Sequence, residues 1–185
     1  MTISLVLPPV DTPVSLTQAK THLRCETSVD DDYITDLIKT ATSFVEQKIN
    51  RKLLTQTWRQ YVDGVGPDGT ICLQIRPPQF ISEVTVYDSL GNPSVLDAQD
   101  YSLKQYASPP TVTLKTGIST GTAELDVVAG FGDTATDVPG SILRAILVLV
   151  AHWYEFRGAI DVSQQPASIP SGFETLLAPF MEPKL

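Results

Sequence analysis

The segment Val138–Arg157, VPGSILRAILVLVAHWYEFR, constrains the fold more than any other stretch of the chain. Wound at about 100° per residue, it gathers Ser141, Arg144, His152 and Glu155 into one narrow polar stripe. Val148 and Ala151 are the apolar residues within that stripe. Ile142, Leu143, Ile146, Leu147, Leu149, Val150, Trp153, Tyr154 and Phe156 occupy the rest of the circumference. A single core normally claims about a third of a helix surface, so a second apolar surface must cover the remainder. Either the domain wraps fully around this helix, or a stretch of it packs on another subunit. The second reading assigns subunit packing to Ile142, Leu143, Ile146, Leu147, Val150, Trp153 and Tyr154. Pro139 suits a first helical turn, and Gly158 suits a C-terminal stop.

Two amphipathic helices are expected upstream. Ser15 and Gln18 form a capping-box pattern opening SLTQAKTHLR, in which Leu16, Ala19, Lys20 and Leu23 keep helical spacing. A second helix should begin near Asp30–Asp32 and run to about Asn50. Its apolar positions are Ile34, Leu37, Ile38, Ala41, Phe44, Val45 and Ile49.

From Leu53 the apolar period changes to two. Leu54–Val62, Thr70–Ile75, Ile81–Asp88, Tyr101–Gln105, Thr111–Lys115 and Thr122–Val128 read as short strands, and Ser89–Pro93 as a turn. With no helical pattern between them, they imply an antiparallel sheet or small barrel. The fold class is therefore α+β, a helical core from both chain ends with an inserted antiparallel β region. The expected divisions are residues 1–52 (helical), 53–137 (β-rich insertion), 138–158 (long central helix) and 159–185 (linker and C-terminal arm). In that arm Phe173, Leu176, Leu177 and Phe180 are spaced i, i+3, i+4, i+7, and Pro179 should stop a helix near Ala178. A short apolar segment on a tether either folds back on its own domain or serves as a helix-in-groove ligand.

Charge and composition narrow the function. Net charge is −8, and residues 60–185 carry all of it, with six basic against fourteen acidic residues. Such a surface repels phosphate backbones, so specific nucleic-acid binding is not expected. Arg144 breaks the best apolar run short of the roughly 18–20 residues a membrane span needs. MTISLVLPPVD lacks the basic start and full apolar stretch of a secretory signal, and two unspaced cysteines, Cys25 and Cys72, point to reduced thiols in a cytoplasmic setting.

Catalytic and metal chemistry find little support. Asp30-Asp31-Asp32 with Asp36 has no glycine nearby to turn a cation loop, and the helix dipole explains acids at a helix start. His22 and His152 form neither a metal-spaced pair nor a triad, and Cys25 near His22 lacks an oxyanion-hole element. Gly64-Val65-Gly66 and Gly130-Phe131-Gly132 lack phosphate-loop spacing. No enzyme activity, metal or cofactor is expected.

Four segments in this order, Leu16–Arg24, Asp31–Trp58, Val138–Arg157 and Ile169–Phe180, resemble the head–tail connector, or adaptor, proteins of tailed bacteriophages and their prophage and gene transfer agent relatives. The resemblance implies a structural virion protein assembled in the bacterial cytoplasm. It implies a homo-oligomeric ring of about twelve copies under the portal protein, each copy bound to two neighbours. The ring would extend the DNA channel without gripping DNA, and would dock the next connector, stopper or tail protein. Portal contact would fall on the arm 171–185 through Phe173, Leu176, Leu177 and Phe180. Candidate lumen-facing acids are Glu83, Asp88, Glu124 and Asp126. The alternatives are a ligand-binding or hydrolytic domain, or another ring such as a stopper or tail terminator.

Overall fold

The computed structural model describes residues 2–66, 68–115, 121–156, 169–170 and 172–181. It divides into two compact units, one formed by Met1–Val10 with Thr55–Phe131 and the other by Asp11–Leu54 with Gly132–Leu185.

The helical unit holds α1 (Leu16–Leu23), α2 (Asp31–Ile49), α3 (Gly140–Glu155) and α4 (Phe173–Leu177). The capping box forms as its residues predict. The Gln18 backbone N–H donates to Ser15 Oγ at 3.2 Å, and the Ser15 N–H donates to Gln18 Oε1 at 2.9 Å. Along α2, Ile34, Ile38, Ala41, Val45 and Ile49 are buried, while Leu37 and Phe44 at the stripe's margins are half-buried. Both helices end on a left-handed residue, Arg24 (φ 55°) and Asn50 (φ 51°), whose N–H groups turn back onto the last carbonyls. α3 starts one residue after Pro139, which caps the helix in an extended conformation instead of entering its first turn. The expected stop at Gly158, Arg157 itself, the linker at 159–168 and the terminal 182–185 lie outside the described residues.

The sheet unit holds β1 (Thr2–Leu7), β2 (Gln56–Asp63), β3 (Thr70–Cys72), β4 (Pro78–Tyr87), β5 (Pro93–Val95), β6 (Tyr101–Lys104), β7 (Thr111–Leu114) and β8 (Thr122–Ala129). They form a five-stranded sheet in the order β1-β2-β8-β4-β5 and a three-stranded sheet in the order β3-β7-β6. Every named pairing is antiparallel. Val62, Val84, Leu125 and Val127 of the larger sheet share one core with Ile71, Val112 and Leu114 of the smaller. On β8 the alternation holds as far as Val127, with Ala123, Leu125 and Val127 buried and Glu124 and Asp126 turned outward, before Val128 and Ala129 are both buried.

Two strands escape the sequence pattern. β1 comes from the first residues, so the expected helical segment 1–52 is split, its first ten residues clustering with the sheets. Its TISLVL sequence does not alternate, because almost all of it stays exposed along an edge. β5 begins at Pro93, within the expected turn. A proline is tolerated there because it opens an edge strand and needs no ladder partner for its missing N–H.

A buried amide ties the two sheets together. Gln60 on β2 is fully buried, donating through Nε2 to the Cys72 carbonyl at 2.8 Å and accepting from the Gln74 N–H at 2.9 Å. The Gly130-Phe131-Gly132 motif is structural. Gly130 takes φ 144°, and a Cβ at Gly132 would overlap the Asp137 carboxyl, which accepts from the Thr134 N–H at 2.9 Å and its hydroxyl at 2.8 Å.

Candidate assembly surfaces

The surfaces of α3 divide between packing inside the helical unit and a small remainder. Ile142, Ala145, Ile146, Leu149 and Val150 are buried in the unit. Ile142, Ile146 and Val150, expected at a subunit contact, are therefore already covered by their own chain. At the helix end, Trp153 meets Phe44 edge-on with ring centres 6.0 Å apart. Tyr154 leans on Tyr33 at 6.2 Å and donates its hydroxyl to Asp30 Oδ2 at 2.7 Å. That bond to a carboxylate, helped by the Cys25 sulfur, pushes the Tyr154 phenol up to about 12. The outward stripe lies where the sequence places it, with Arg144 and Glu155 exposed.

Val148 stays half-buried and Phe156 exposed, and Leu143 and Leu147 are half-buried too. With Val14, Thr17, Gln18, Thr21 and His22 the two leucines line an open groove of about 350 Å³. His22 Nδ1 lies 3.3 Å from an Arg144 guanidinium nitrogen. Partial burial, and then the Arg144 charge, hold the His22 pKa below its ordinary value.

The expected arm is folded onto the helical unit. Phe173 and Leu177 are fully buried, and Phe173 lies 6.0 Å from the Phe44 ring. Lys48 Nζ donates to Glu174 Oε1 at 2.7 Å, holding that carboxyl below its usual range, and Arg51 Nε donates to the Phe180 carbonyl at 3.3 Å. Of the four arm residues, Leu176 and Phe180 keep some of their surface free.

Polar groups on the sheet's outer face are mutually neutralised. Arg59 on β2 stands opposite Asp126 on β8 and donates to it through two nitrogens, at 2.6 and 2.7 Å. Hydrogen bonding to Asp126 raises the Arg59 pKa, so the guanidinium stays charged throughout the accessible pH range. Glu124 lies 3.5 Å from the same guanidinium and accepts from the Tyr87 hydroxyl at 2.9 Å. Asp88 is spent on its own turn, accepting from the Leu90 and Asn92 N–H groups at 2.8 and 2.9 Å. Of the four acids considered for a channel wall, Glu83 alone is neither ion-paired among the described residues nor committed to a turn, and its side chain is exposed. The Asp30–Asp32 cluster is likewise divided. Asp30 accepts from the Tyr154 hydroxyl and Asp31 from the Lys20 ammonium. Among the described residues no group of His, Cys, Asp and Glu could hold a metal ion, and no helix is long and apolar enough to cross a membrane.

The chain is similar in sequence to one family and in fold to several solved structures. Residues 13–89 match the family described as phage gp6-like head–tail connector protein. That match spans less than half of the chain. It covers α1, α2 and the strands β2 to β4. Three solved structures share the fold over the whole chain at 20% identity, each covered to 97% of its own length. They are a chain from the neck of an empty gene transfer agent particle computed with C6 symmetry (TM-score 0.82), one from the virion of a native gene transfer agent particle (0.81), and one from the neck of a native particle computed with C12 symmetry (0.77). No curated protein matches the sequence.

The signal that sequence reasoning missed is the apolar, charge-free β1. ISLVL was available to be read as a strand, but its lack of alternation and its place before a proline pair hid it.

Proposed function

We propose that this protein is a head–tail connector, a non-enzymatic subunit of the neck of a phage or gene transfer agent particle. The observation that carries the reading is a connector-family match over residues 13–89 together with likeness to neck subunits over the full chain. In this reading the copies form a ring under the portal protein, lengthen the DNA channel and present a platform to the next connector, stopper or tail protein. A subunit of such a ring needs two lateral surfaces, and its work is done by fit and not by reacting groups. Leu143 and Leu147 of α3 and the half-buried Leu176 and Phe180 of the arm are the residues we assign to contacts with neighbours and portal. A channel wall that does not grip its cargo is consistent with the net charge of −8.

Removal of the gene tests the role directly. Particles made without the protein are expected to accumulate as DNA-filled heads separate from finished tails, with infectivity or gene transfer restored by supplying the chain in trans. Normal tailed particles in its absence would refute the assignment.

A further inference from the structure

The helical unit carries an open groove and, elsewhere on its surface, a loop tip of matching shape and charge. The groove, about 350 Å³, is floored by the half-buried Leu143 and Leu147 of α3 and walled by α1. Arg144 stands exposed beside it. Its guanidinium meets the His22 ring and pairs with no carboxylate among the described residues. The tip is the loop between α1 and α2. Val29 is 88% exposed there, and residues 24–32 hold four carboxylates against one guanidinium. Asp30 and Asp31 are taken up by the Tyr154 hydroxyl and the Lys20 ammonium, which leaves Glu26 and Asp32 exposed and unpaired on either side of Val29. Burial would favour the valine, and a carboxylate would favour the guanidinium.

We infer that Val29 of one copy seats on Leu143 and Leu147 of the next, with Glu26 or Asp32 reaching its Arg144. This rests on the connector reading given above. Charge and position together choose a second copy as the occupant. The tip and the groove are opposite in charge, and they stand apart on the unit. Tyr154 holds Asp30 at the C-terminal end of α3, about 10 Å beyond Leu147 and about 16 Å beyond Leu143 along the helix. Val29 accordingly does not line its own groove. Two separate and complementary patches make a head-to-tail contact, which repeats from copy to copy until it closes. Groove against groove would set Arg144 on Arg144 and stop at two copies. Copies of a chain with net charge −8 repel one another, so a lateral contact gains from a cation set against carboxylates.

Paired cysteines and a charge swap test this in the full chain. With Cys25 and Cys72 replaced by serine, a Val29→Cys preparation is mixed with a Leu147→Cys preparation and oxidised, with and without portal. The control partner for Leu147→Cys is Leu90→Cys, a residue 86% exposed on the turn between β4 and β5. The Val29–Leu147 cross-link should form at least about tenfold faster than the control, because a bound contact raises the local thiol concentration. Equal rates for the two mixtures in both conditions overturn the inference, and so does faster cross-linking between two Leu147→Cys copies. In the chain with its own cysteines, Arg144→Glu should raise the concentration that fills the portal by about fivefold or more. Adding Glu26→Lys and Asp32→Lys to Arg144→Glu should restore filling, since every contact in the ring then carries the reversed pair. No loss with Arg144→Glu, or no recovery on the swap, also overturns the contact. Portal binding by the unmodified chain is read alongside. Binding without the cross-link bias sinks the groove contact alone, whereas failure to bind portal sinks the connector reading.

Discussion

Single side chains hold this fold at points where polar groups or close approaches leave no slack. Gln60 is the clearest, because its fully buried amide donates to the Cys72 carbonyl and accepts from the Gln74 N–H. Gln60→Leu fills similar volume but strands both groups, and should cost about 1–3 kcal/mol in chemical denaturation. Gly132→Ala forces a methyl into the Asp137 carboxyl and should cost a similar amount, about 1–3 kcal/mol, as overpacking does. His22 adds a pH dependence. Its folded pKa lies below the ordinary 6.5, so the unfolded chain takes up the proton first, and stability is full above 6.5 and falls as pH drops below it. Thermal unfolding from pH 7 to 5 should show this fall, and His22→Gln should flatten it. Asp137 and Glu174 act in the same direction in a lower window, beneath their ordinary values of 3.8 and 4.5.

Among the elements, the helices were legible and the sheet's edges were not. α1 and α2 could be read because the Ser15–Gln18 box and the Ile34-Ile38-Ala41-Val45-Ile49 stripe encode local rules that tertiary contacts then reinforce. β8 was legible for the same reason, since Glu124 and Asp126 alternate with buried neighbours. β1 and β5 were hidden because an edge strand buries neither face and so carries no period. The excess apolar surface of α3 was visible in the sequence, but its division was not. That depends on Phe44, Tyr33 and Phe173 arriving from elsewhere in the chain. The arm illustrates the same limit, because its i, i+3, i+4, i+7 pattern suits intramolecular packing as well as a partner's groove. Since Phe173 is fully buried, Phe173→Ala should destabilise the helical unit by about 3–5 kcal/mol and speed proteolysis after α3. Unchanged stability would mean that α4 contributes nothing to the unit in solution.

At the scale of the whole molecule, the proposed work is assembly and not chemistry. The described residues bring no reactive constellation together: Cys25 and Asp30 share a tyrosine, and the sheet's charges pair with each other. What the chain retains in excess is apolar surface at sheet edges and along Leu143 and Leu147, and a net charge of −8. Whether this chain rings a portal can be read from one mass. Purified chain is added to the portal of the same particle, and the complex is weighed by native mass spectrometry. One saturating step is expected, in which every portal subunit gains one chain of 20.1 kDa. A portal whose mass does not change, or which gains a single chain, would contradict the ring.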